Sequence, residues 1–547
     1  MTDTMYTEDW QAIPWAKVER NVRRLQQRIY QAASRGDGKQ VRNLQRLLQR
    51  SWSARCLAVR QVTQDNRGKR TPGVDGVAGI DPPFRSGLVV RLKQVAAWIA
   101  DPIRRVYIDK TNSDEKRPLG IPTIRDRAMQ ALVKLVLEPE WEAKFEPNSY
   151  GFRPGRATHD AIESIYNFIR LKPKYVLDAD IAKCFDQISH SALLQKLNAS
   201  TPIVRLVRQW LKAGIMEGDV FYQPEAGTPQ GGVISPLLAN IALHGLENEL
   251  VAALPQRQKP GVIRYADDFV ILHEDLDTLN MLRERAEAWL APMGLHLNPS
   301  KTSITHTLHQ HEGKIGFDFL GFHIRQHPIG KYRTRTYRGK AGFRTLIKPS
   351  QSAQKRHLGK VRDIIRQYRG APQIALIAKL NPIIRGWTNY YRPCAAKKVF
   401  ARMDFQVYFM LRRWATHRHH DKPTQWRYRR YWHRVNDRVV FGDEKGALAF
   451  YRDTPIRRHV KVRGEKSPFD GDWLYWGTRL GRDPTKPKRV TRLLKCQHGK
   501  CEYCGLRFKD DDIMEVHHQD GDRNNNRYAN LALLHGHCHD QTHGKGY

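Results

Sequence analysis

The stretch Tyr265-Ala266-Asp267-Asp268 lies between two apolar runs, Val262-Ile263 and Phe269-Val270-Ile271-Leu272. This pattern predicts a β-hairpin that carries two adjacent carboxylates at its turn. Apolar strands usually exclude charge, and burial of two neighbouring acids raises the pKa values of both carboxyl groups. Divalent metal ions would neutralise such a pair. An Asp-Asp pair alone is more often a solvated turn, so its interpretation depends on the rest of the chain.

The charge of the chain limits the classes of partner. It carries 93 Lys and Arg against 55 Asp and Glu in 547 residues, a formal net charge of +38. An excess of this size indicates a polyanionic partner such as nucleic acid. We expect no membrane partner, because no apolar run reaches the roughly 18 residues of a spanning helix, and no secretory signal is visible. The clustering of four of the seven cysteines near the C-terminus favours one metal module in a reducing compartment.

The hydrophobic pattern divides the chain into regions of different character, which together predict a multidomain α+β protein. Helices with basic faces are expected first, then mixed short strands and helices, then an amphipathic helical bundle, then a segment rich in Gly, Pro and charge whose part 462–490 is predicted to be a linker, and last a compact Cys/His/Asp unit. The corresponding ranges are 1–95, 96–335, 336–435, 436–490 and 491–547.

Rings and cations interleave near the end of the bundle, from Trp426 to Trp432. A single ring is more often part of a core. A run of seven residues that interleaves rings with Arg cannot be buried entirely in a core. It therefore favours stacking on bases or contact with phosphates.

A second acidic site precedes the hairpin. Residues 175–181 predict a strand that places Asp178 and Asp180 on one face. Phosphoryl transfer to a 3′-hydroxyl uses two metal ions bridged by carboxylates from separate elements. One Asp of this strand together with the Asp267–Asp268 turn supplies such a set.

Two further elements suit a nucleotide site but are weak evidence alone. A glycine-rich turn at 226–237 leads into a predicted helix, and its glycines allow close approach of the backbone to a ligand. Lys110 and Arg117 flank a polar turn and could hold a triphosphate, although two surface cations are unremarkable in a chain this basic.

The C-terminal unit contains two pairs of soft ligands at the same spacing, Cys501 with Cys504 and His535 with Cys538. Four such ligands in two knuckles suit a tetrahedral structural Zn²⁺, whereas surface turns with free thiols are the alternative. Cys496 and His498 are spare candidates for the same metal.

Seven sequence blocks in order resemble the reverse-transcriptase series of group II intron-encoded proteins, and together they are far more specific than any single block. They are Arg117-Pro-Leu-Gly-Ile-Pro122, Ser149-Tyr-Gly-Phe-Arg-Pro-Gly-Arg156, Asp180-Ile-Ala-Lys-Cys-Phe-Asp186, Gly227-Thr-Pro-Gln-Gly-Gly-Val-Ile-Ser-Pro236, Tyr265-Ala-Asp-Asp268, Gly294-Leu-His-Leu-Asn-Pro-Ser-Lys301 and Phe319-Leu-Gly-Phe322. Residues 1–95 resemble the N-terminal extension of that family, and 350–432 resemble its maturase domain.

The resemblance implies a right-hand polymerase with fingers, palm and a helical thumb, and it implies roles for matching residues. Asp180, Asp267 and Asp268 would hold two Mg²⁺ ions, with Mn²⁺ as an alternative. Phe185 would face the sugar of the incoming dNTP and exclude a 2′-hydroxyl. The residues implied to contact triphosphate, template or primer are Lys110, Arg117, Gln230 and Lys301.

The tail resembles the HNH nuclease motif, a ββα-metal fold. In that resemblance His517 and His539 would hold one Mg²⁺ ion, His518 would activate water and Asn530 would brace the loop that positions His518. His535 stands where many relatives have Cys and remains a competent zinc ligand.

The resemblance as a whole implies a multifunctional protein. It would bind its intron RNA and support splicing, use a DNA-binding region and the HNH domain to nick target DNA, and extend the freed 3′-hydroxyl with dNTPs on the RNA template. The expected location is the cytoplasm of a bacterium or an organelle, with the nucleoid when on DNA. The alternatives are a non-catalytic RNA-binding splicing factor, whose mark would be lost acids or a lost nuclease module, and a defence-associated reverse transcriptase, against which the maturase-like region and the tail argue.

Overall fold

The computed structural model of the chain describes residues 10–109, 116–218, 220–223, 225–329, 342–443, 446–509 and 512–543. The described strands form five sheets among many helices, which confirms the multidomain α+β class. None of the helices in these ranges is long and apolar enough to cross a membrane.

The N-terminal extension is helical, as its apolar spacing predicts. Its α-helices are α1 (Trp15–Ser34), α2 (Gly38–Arg50), α3 (Trp52–Arg60) and α4 (Pro82–Arg91). Val18, Val22 and Ile29 repeat at helical spacing on α1 and are buried. The side chain of Asp37 accepts a hydrogen bond from the Gln40 amide and so caps α2.

The region expected to form the fingers and palm alternates short strands with helices. Its elements are β1 (Ile103–Asp109), β2 (Lys116–Ile121), α5 (Ile124–Glu142), α6 (Thr158–Ile169), β3 (Tyr175–Asp180), α7 (Cys184–Gln187), α8 (His190–Leu197), α9 (Thr201–Leu211), β4 (Ile215–Glu217), β5 (Val220–Tyr222), α10 (Ser235–Leu243), α11 (Leu246–Ala252), β6 (Gly261–Tyr265), β7 (Asp268–His273), α12 (Leu276–Leu290) and β8 (Ser303–His306). The fingers sheet has the order β2-β1-β4-β5 and the palm sheet the order β6-β7-β3-β8.

The palm sheet is antiparallel throughout and is covered on both faces. Leu177 and Phe269 point into a core shared with the N-terminal helices. Val176 and Val270 point into a second core shared with the helices that follow the palm. Because side chains alternate across a strand, the apolar residues of β3 and β7 alternate between the two cores.

The thumb follows the palm as a small sheet and a helical bundle, and a second small sheet completes it. Its elements are β9 (Phe317–Phe319), β10 (Phe322–Pro328), β11 (Phe343–Pro349), α13 (Gln351–Gln367), α14 (Gln373–Tyr391), α15 (Lys397–Arg418), α16 (Thr424–Tyr431), β12 (Trp432–Val435), β13 (Arg438–Asp443) and β14 (Gly446–Ala447). The rings in the interleaved run Trp426–Trp432 differ in burial. Tyr431 and Trp432 are core residues, whereas Trp426 and Tyr428 are 38% and 39% exposed.

The segment 462–490, predicted to be a linker, is packed against the palm instead. It contains α17 (Trp473–Arg482) and the start of α18 (Lys488–Cys496). Asp160 at the start of α6 is fully buried and accepts hydrogen bonds from the Val462 amide and from the Arg479 guanidinium. A composition rich in Gly and Pro does not reveal such contacts, since the partner lies about 300 positions earlier in the chain.

The C-terminal module is a ββα unit. Its elements are β15 (Met514–His518), β16 (Leu531–His535) and α19 (Gly536–Thr542). The strands pair antiparallel, with His517 opposite Ala532 and His518 opposite Leu531. Leu533 and the α18 residues Leu493 and Leu494 form its small core.

Two ion pairs offer a matched test of how burial determines the contribution of charge to stability. Arg153 donates to both carboxylate oxygens of Glu142 at 2.8 and 3.1 Å, and both side chains are 1% exposed. Arg153→Met would leave Glu142 buried and uncompensated, so we expect a loss of about 3–5 kcal/mol. Lys172→Met removes the exposed pair with Glu274 and should cost less than about 1 kcal/mol. Thermal unfolding of the two full-length variants measures the difference, and similar midpoints would contradict it.

Candidate functional site

The hairpin expected from the sequence is present. Tyr265 pairs with Asp268, so Ala266 and Asp267 form a two-residue turn between β6 and β7. Ala266 has a φ of 59°, in the left-handed region that such tight turns require. The strand β3 lies beside β7 with Asp180 directly opposite Asp268. The three acids implied as metal ligands therefore lie together at one end of the palm sheet.

Burial disfavours the charged forms of two of these carboxylates, Asp267 and Asp268. It raises the pKa of Asp268 to about 7, and the charges of Asp267 and Asp180 act in the same direction. Burial also raises the pKa of Asp267 above its ordinary value. Asp178, on the same strand as Asp180, has its pKa raised to about 7 by burial and then by Asp318 and Asp180. A cluster of acids with this property suits the binding of divalent cations.

Lys301 supplies one cation to the acidic cluster. Its Nζ lies 2.8 Å from Oδ2 of Asp180, and the Asn298 side chain donates a longer hydrogen bond of 3.3 Å to the same oxygen. The Asn298 amide also donates to the Asp180 carbonyl at 2.8 Å. The block around Lys301, implied to contact primer or phosphates, thus contacts the proposed metal ligand itself.

The glycine-rich turn packs against the fingers and against the segment that holds Phe185. The Thr228 amide donates to the Phe185 carbonyl at 2.5 Å, and the Gly120 amide donates to the Gln230 carbonyl at 2.6 Å. A Cβ on Gly227, whose φ is +90°, would lie 2.7 Å from the backbone of Asp186. In this structure Gly227 therefore allows close approach to protein backbone, whereas a ligand was expected from the sequence.

The remaining nucleotide-binding candidates are only partly described. Phe185 lies on α7, with its ring centroid 6.1 Å from that of Phe152 in an edge-on arrangement. Arg117 is exposed on β2, and its charge acts on Asp267 to lower the pKa of that carboxyl group against the effect of burial. Lys110 lies outside the described residues.

Sequence reasoning did not identify the residues that brace the hairpin. The Arg264 side chain donates to the Ala266 carbonyl at 3.2 Å and to Oδ1 of Asn240 at 2.9 Å, and Asn240 donates to the Gly151 carbonyl at 2.8 Å. A Cβ on Gly151 would lie 2.3 Å from the Ala266 nitrogen. The block 149–156, which resembles the family, contains Gly151. The block does not reveal that Gly151 lies against Ala266.

In the C-terminal module Cys501, Cys504, His535 and Cys538 offer ligand atoms within 4.8 Å of one another. The separation of Cys504 Sγ from His535 Nδ1 is 3.4 Å. The other ring nitrogen of His535 lies 3.3 Å from Asp512, a carboxylate that would orient the imidazole toward a metal. Cys496 is exposed, and neither it nor His498 is part of the group. Two knuckles of soft ligands with this geometry fit zinc.

A second group joins His517, His539 and His543, again with ligand atoms within 4.8 Å. His543 was not expected from the sequence, although it stands four positions after His539, the spacing of neighbours on one helix face. Glu515 Oε2 lies 2.8 Å from His539 Nδ1. Burial and the other histidines lower the pKa of His517, which favours the neutral ring that binds metal. By contrast, the carboxylate oxygens of Asp180, Asp267 and Asp268 do not all lie within 4.8 Å of one another.

His518 and Asn530 flank the loop between the two strands. His518 projects from the face of β15 opposite to His517, because neighbouring strand residues alternate. The Asn530 side chain donates to Asp520 at 2.8 Å and to the Asn525 carbonyl at 3.0 Å, and it accepts from the Asp520 amide at 3.0 Å. These bonds close the loop that begins next to His518.

Four family models match the chain in order. They are the N-terminal domain of reverse transcriptase over 10–92, reverse transcriptase (RNA-dependent DNA polymerase) over 108–324, the group II intron maturase-specific domain over 354–432, and HNH endonuclease over 501–545. The chain also covers 87% of protein YkfC of Escherichia coli K12 at 31% identity over 344 residues, which is 55% of the chain. The chain belongs to the group II intron-encoded protein family.

Two further relatives match shorter shares of their own length. The group II intron-encoded protein LtrA of Lactococcus lactis subsp. cremoris is 33% identical over 232 residues, which is 42% of the chain and 38% of LtrA. A 91 kDa protein in a cob intron of Schizosaccharomyces pombe is 29% identical over 421 residues, 63% of the chain and 51% of that protein. This intron-encoded protein therefore combines reverse transcriptase, maturase and HNH endonuclease domains, and it spans well under two thirds of these two relatives.

Cys504 and Cys496 provide a matched test of whether the zinc group, Cys501, Cys504, His535 and Cys538, binds zinc. Cys504→Ser replaces one of four converging ligands and should lower the zinc content of the purified protein and destabilise the tail, since a structural metal contributes directly to folding. Cys496→Ser makes the same chemical change at the exposed thiol outside the group and should leave zinc bound. Elemental analysis of both variants decides the assignment, and equal zinc content would refute it.

Proposed function

We propose that this intron-encoded protein copies RNA into DNA at the palm site and nicks target DNA at the C-terminal site, so that the nick primes reverse transcription of its intron RNA. The observation that carries the proposal is the pairing of Asp180 with Asp268, which brings acids from two strands together beside Asp267. Such a set is what a polymerase needs to hold the reacting 3′-hydroxyl and the triphosphate.

At the palm, Asp180, Asp267 and Asp268 would hold two Mg²⁺ ions. When bound, these ions would stabilise the attacking and leaving oxygens of the displacement. The fit rests on the charge of the site, since burial keeps the pKa values of Asp267 and Asp268 high in their absence. Lys301, 2.8 Å from Asp180, is placed to exchange that carboxylate for a phosphate when substrate binds.

The nucleotide would lie between the fingers hairpin and the palm. Arg117, together with Lys110, would bind the triphosphate, and Gln230 would line the nucleotide and template site. The contact of the Gln230 carbonyl with the Gly120 amide supports this arrangement, because it joins the turn to the hairpin that carries Arg117. Phe185 would place its ring against C2′ of the sugar.

In the nuclease, His517 and His539 would hold one divalent ion, with His543 as a third ligand. Nδ1 of His517 is buried and has no hydrogen-bond partner in the described part of the chain, as expected for a ligand nitrogen. Nε2 of His518 likewise has no hydrogen-bond partner there, and His518 would accept the proton of the attacking water. Asn530 would keep the adjoining loop in place, and Zn²⁺ would hold the two knuckles.

The RNA partner is proposed to be the intron itself. The net charge of +38 supplies the long-range attraction to phosphates. The exposed rings of Trp426 and Tyr428 on α16, among arginines, offer stacking surfaces in the maturase-specific domain. The same bound RNA would then serve as template once the DNA is nicked.

Asp267→Asn should lower the rate of primer extension on an RNA template at least about a hundredfold, a loss of about 2.7 kcal/mol of transition-state stabilisation. The change removes one metal-holding charge and keeps the size of the side chain. Asp277→Asn makes the same change at an exposed residue of α12 and serves as the control. Single-turnover extension at saturating dNTP measures both, and a wild-type rate in Asp267→Asn would exclude it as a metal ligand.

Phe185→Ala should raise the incorporation of ribonucleotides relative to deoxynucleotides by roughly 10- to 100-fold, because removal of the ring opens the space that a 2′-hydroxyl needs. Phe185→Tyr, which retains the ring, should keep the wild-type preference. Single-nucleotide extension with matched rNTP and dNTP gives the ratio. An unchanged ratio in Phe185→Ala would place the selecting residue elsewhere.

A further inference from the structure

Helix α19 carries four consecutive side chains that have different partners. Cys538 belongs to the zinc group and His539 to the histidine group. The two residues that flank them, His537 and Asp540, reach out of the module altogether and contact the N-terminal extension. One short helix therefore joins two metal groups and a distant region of the chain.

The surface that receives α19 is the end of α3, where the helix widens into a π-helical turn over Gln61–Asp65. Asp65 Oδ1 lies 2.9 Å from His537 Nδ1, and Lys69 Nζ lies 3.3 Å from Asp540 Oδ2. Leu506 of the module packs against the core that the N-terminal helices share with the palm. The docking thus combines apolar contact with the Lys69–Asp540 ion pair and the close contact of His537 with Asp65.

Asp65 also forms an ion pair with Arg60 inside the N-terminal extension. Arg60 Nε lies 3.2 Å from its Oδ2, and Arg60 Nη2 lies 2.5 Å from Oε1 of Glu19. The Arg60 side chain is 5% exposed and that of His537 is 6% exposed. Arg23 also acts on Glu19, and the module brings His537 to Asp65 and Lys509, at 4.0 Å, to Glu19. Buried charges in such a network have little freedom to move without losing a partner.

The helix that this network holds is too short to orient itself. α19 has seven residues, and isolated helices of that length are not stable in water. Its direction depends on the contacts of its side chains, of which Cys538 is fixed by the knuckles and His537 by Asp65. The position of His539 on the helix follows from both, and Glu515 Oε2, 2.8 Å from its Nδ1, contacts the ring directly.

We propose that Asp65, held by Arg60, is a positioning residue of the HNH nuclease: through His537 it fixes the angle of α19 and so aims His539 at the catalytic ion. The inference rests on the proposed metal-binding role of His517 and His539. It assigns part of the nuclease apparatus to the N-terminal extension of the reverse transcriptase, far outside the HNH module.

The test uses Asp65→Asn in the full-length, zinc-loaded protein. The readout is the Mn²⁺ concentration that gives half-maximal nicking of duplex target DNA, measured beside zinc content and primer extension. We expect that concentration to rise about tenfold, as for loss of an outer-shell partner, with zinc and primer extension unchanged. Asp65→Glu, which restores a carboxylate, should recover part of the shift. Asp37→Asn removes the same charge from the α2 cap, which Asn also satisfies, and should behave as wild type.

His537→Gln tests the same contact from the other side and should produce the same rise with no further effect when combined with Asp65→Asn. An unchanged metal requirement in Asp65→Asn, with nicking lost in His539→Ala, overturns the inference and leaves the proposed function standing. Nicking that survives His539→Ala overturns the proposed function instead. Loss of zinc or of primer extension in Asp65→Asn would show a general folding role and would also overturn the inference.

Discussion

The palm sheet is buried on both faces, and this constraint determines where its charges can lie. Alternate apolar side chains of β3 and β7 enter two separate cores, so a carboxylate in the middle of these strands loses hydration, and Asp178 accordingly has its pKa raised to about 7. Asp180, Asp267 and Asp268 lie at the end of the strands, where burial raises the pKa values of Asp267 and Asp268 while all three side chains remain partly exposed. The proposed polymerase site thus lies at the end of the sheet where Asp180 and the Asp267–Asp268 turn come together.

The parts of the structure that follow from short-range pattern could be predicted. The hairpin at 262–272, the strand with Asp178 and Asp180, and the two knuckles of the tail each depend on residues a few positions apart. Alternation of apolar residues and the equal spacing of ligands encode such elements directly. The family resemblance then ordered them into a polymerase, a maturase domain and a nuclease, and the matching family models confirm that order.

Contacts between distant segments could not be predicted in the same way. The packing of 462–490 depends on Asp160, and the brace behind the hairpin depends on Asn240 and Gly151, because three-dimensional proximity leaves no local pattern. Composition gave the wrong expectation for the first of these, since Gly and Pro also occur in packed irregular segments. Asp512 and His543 were missed for a related reason: a single Asp or His beside an obvious ligand pair has many ordinary explanations.

The docking of α19 on the turn after α3 also has a consequence for biosynthesis. Lys69 and Asp540 are 471 positions apart, so the ribosome completes the N-terminal helices long before their partners in the tail exist. Until then the charges of Glu19 and Asp65 are balanced by residues of the N-terminal extension, Arg60 and Arg23, and the tail later docks on a surface that has already formed. Domains generally fold in the order in which they are translated. A protein built in this way gains its DNA-cutting activity last, after the portion that binds and copies RNA has taken shape.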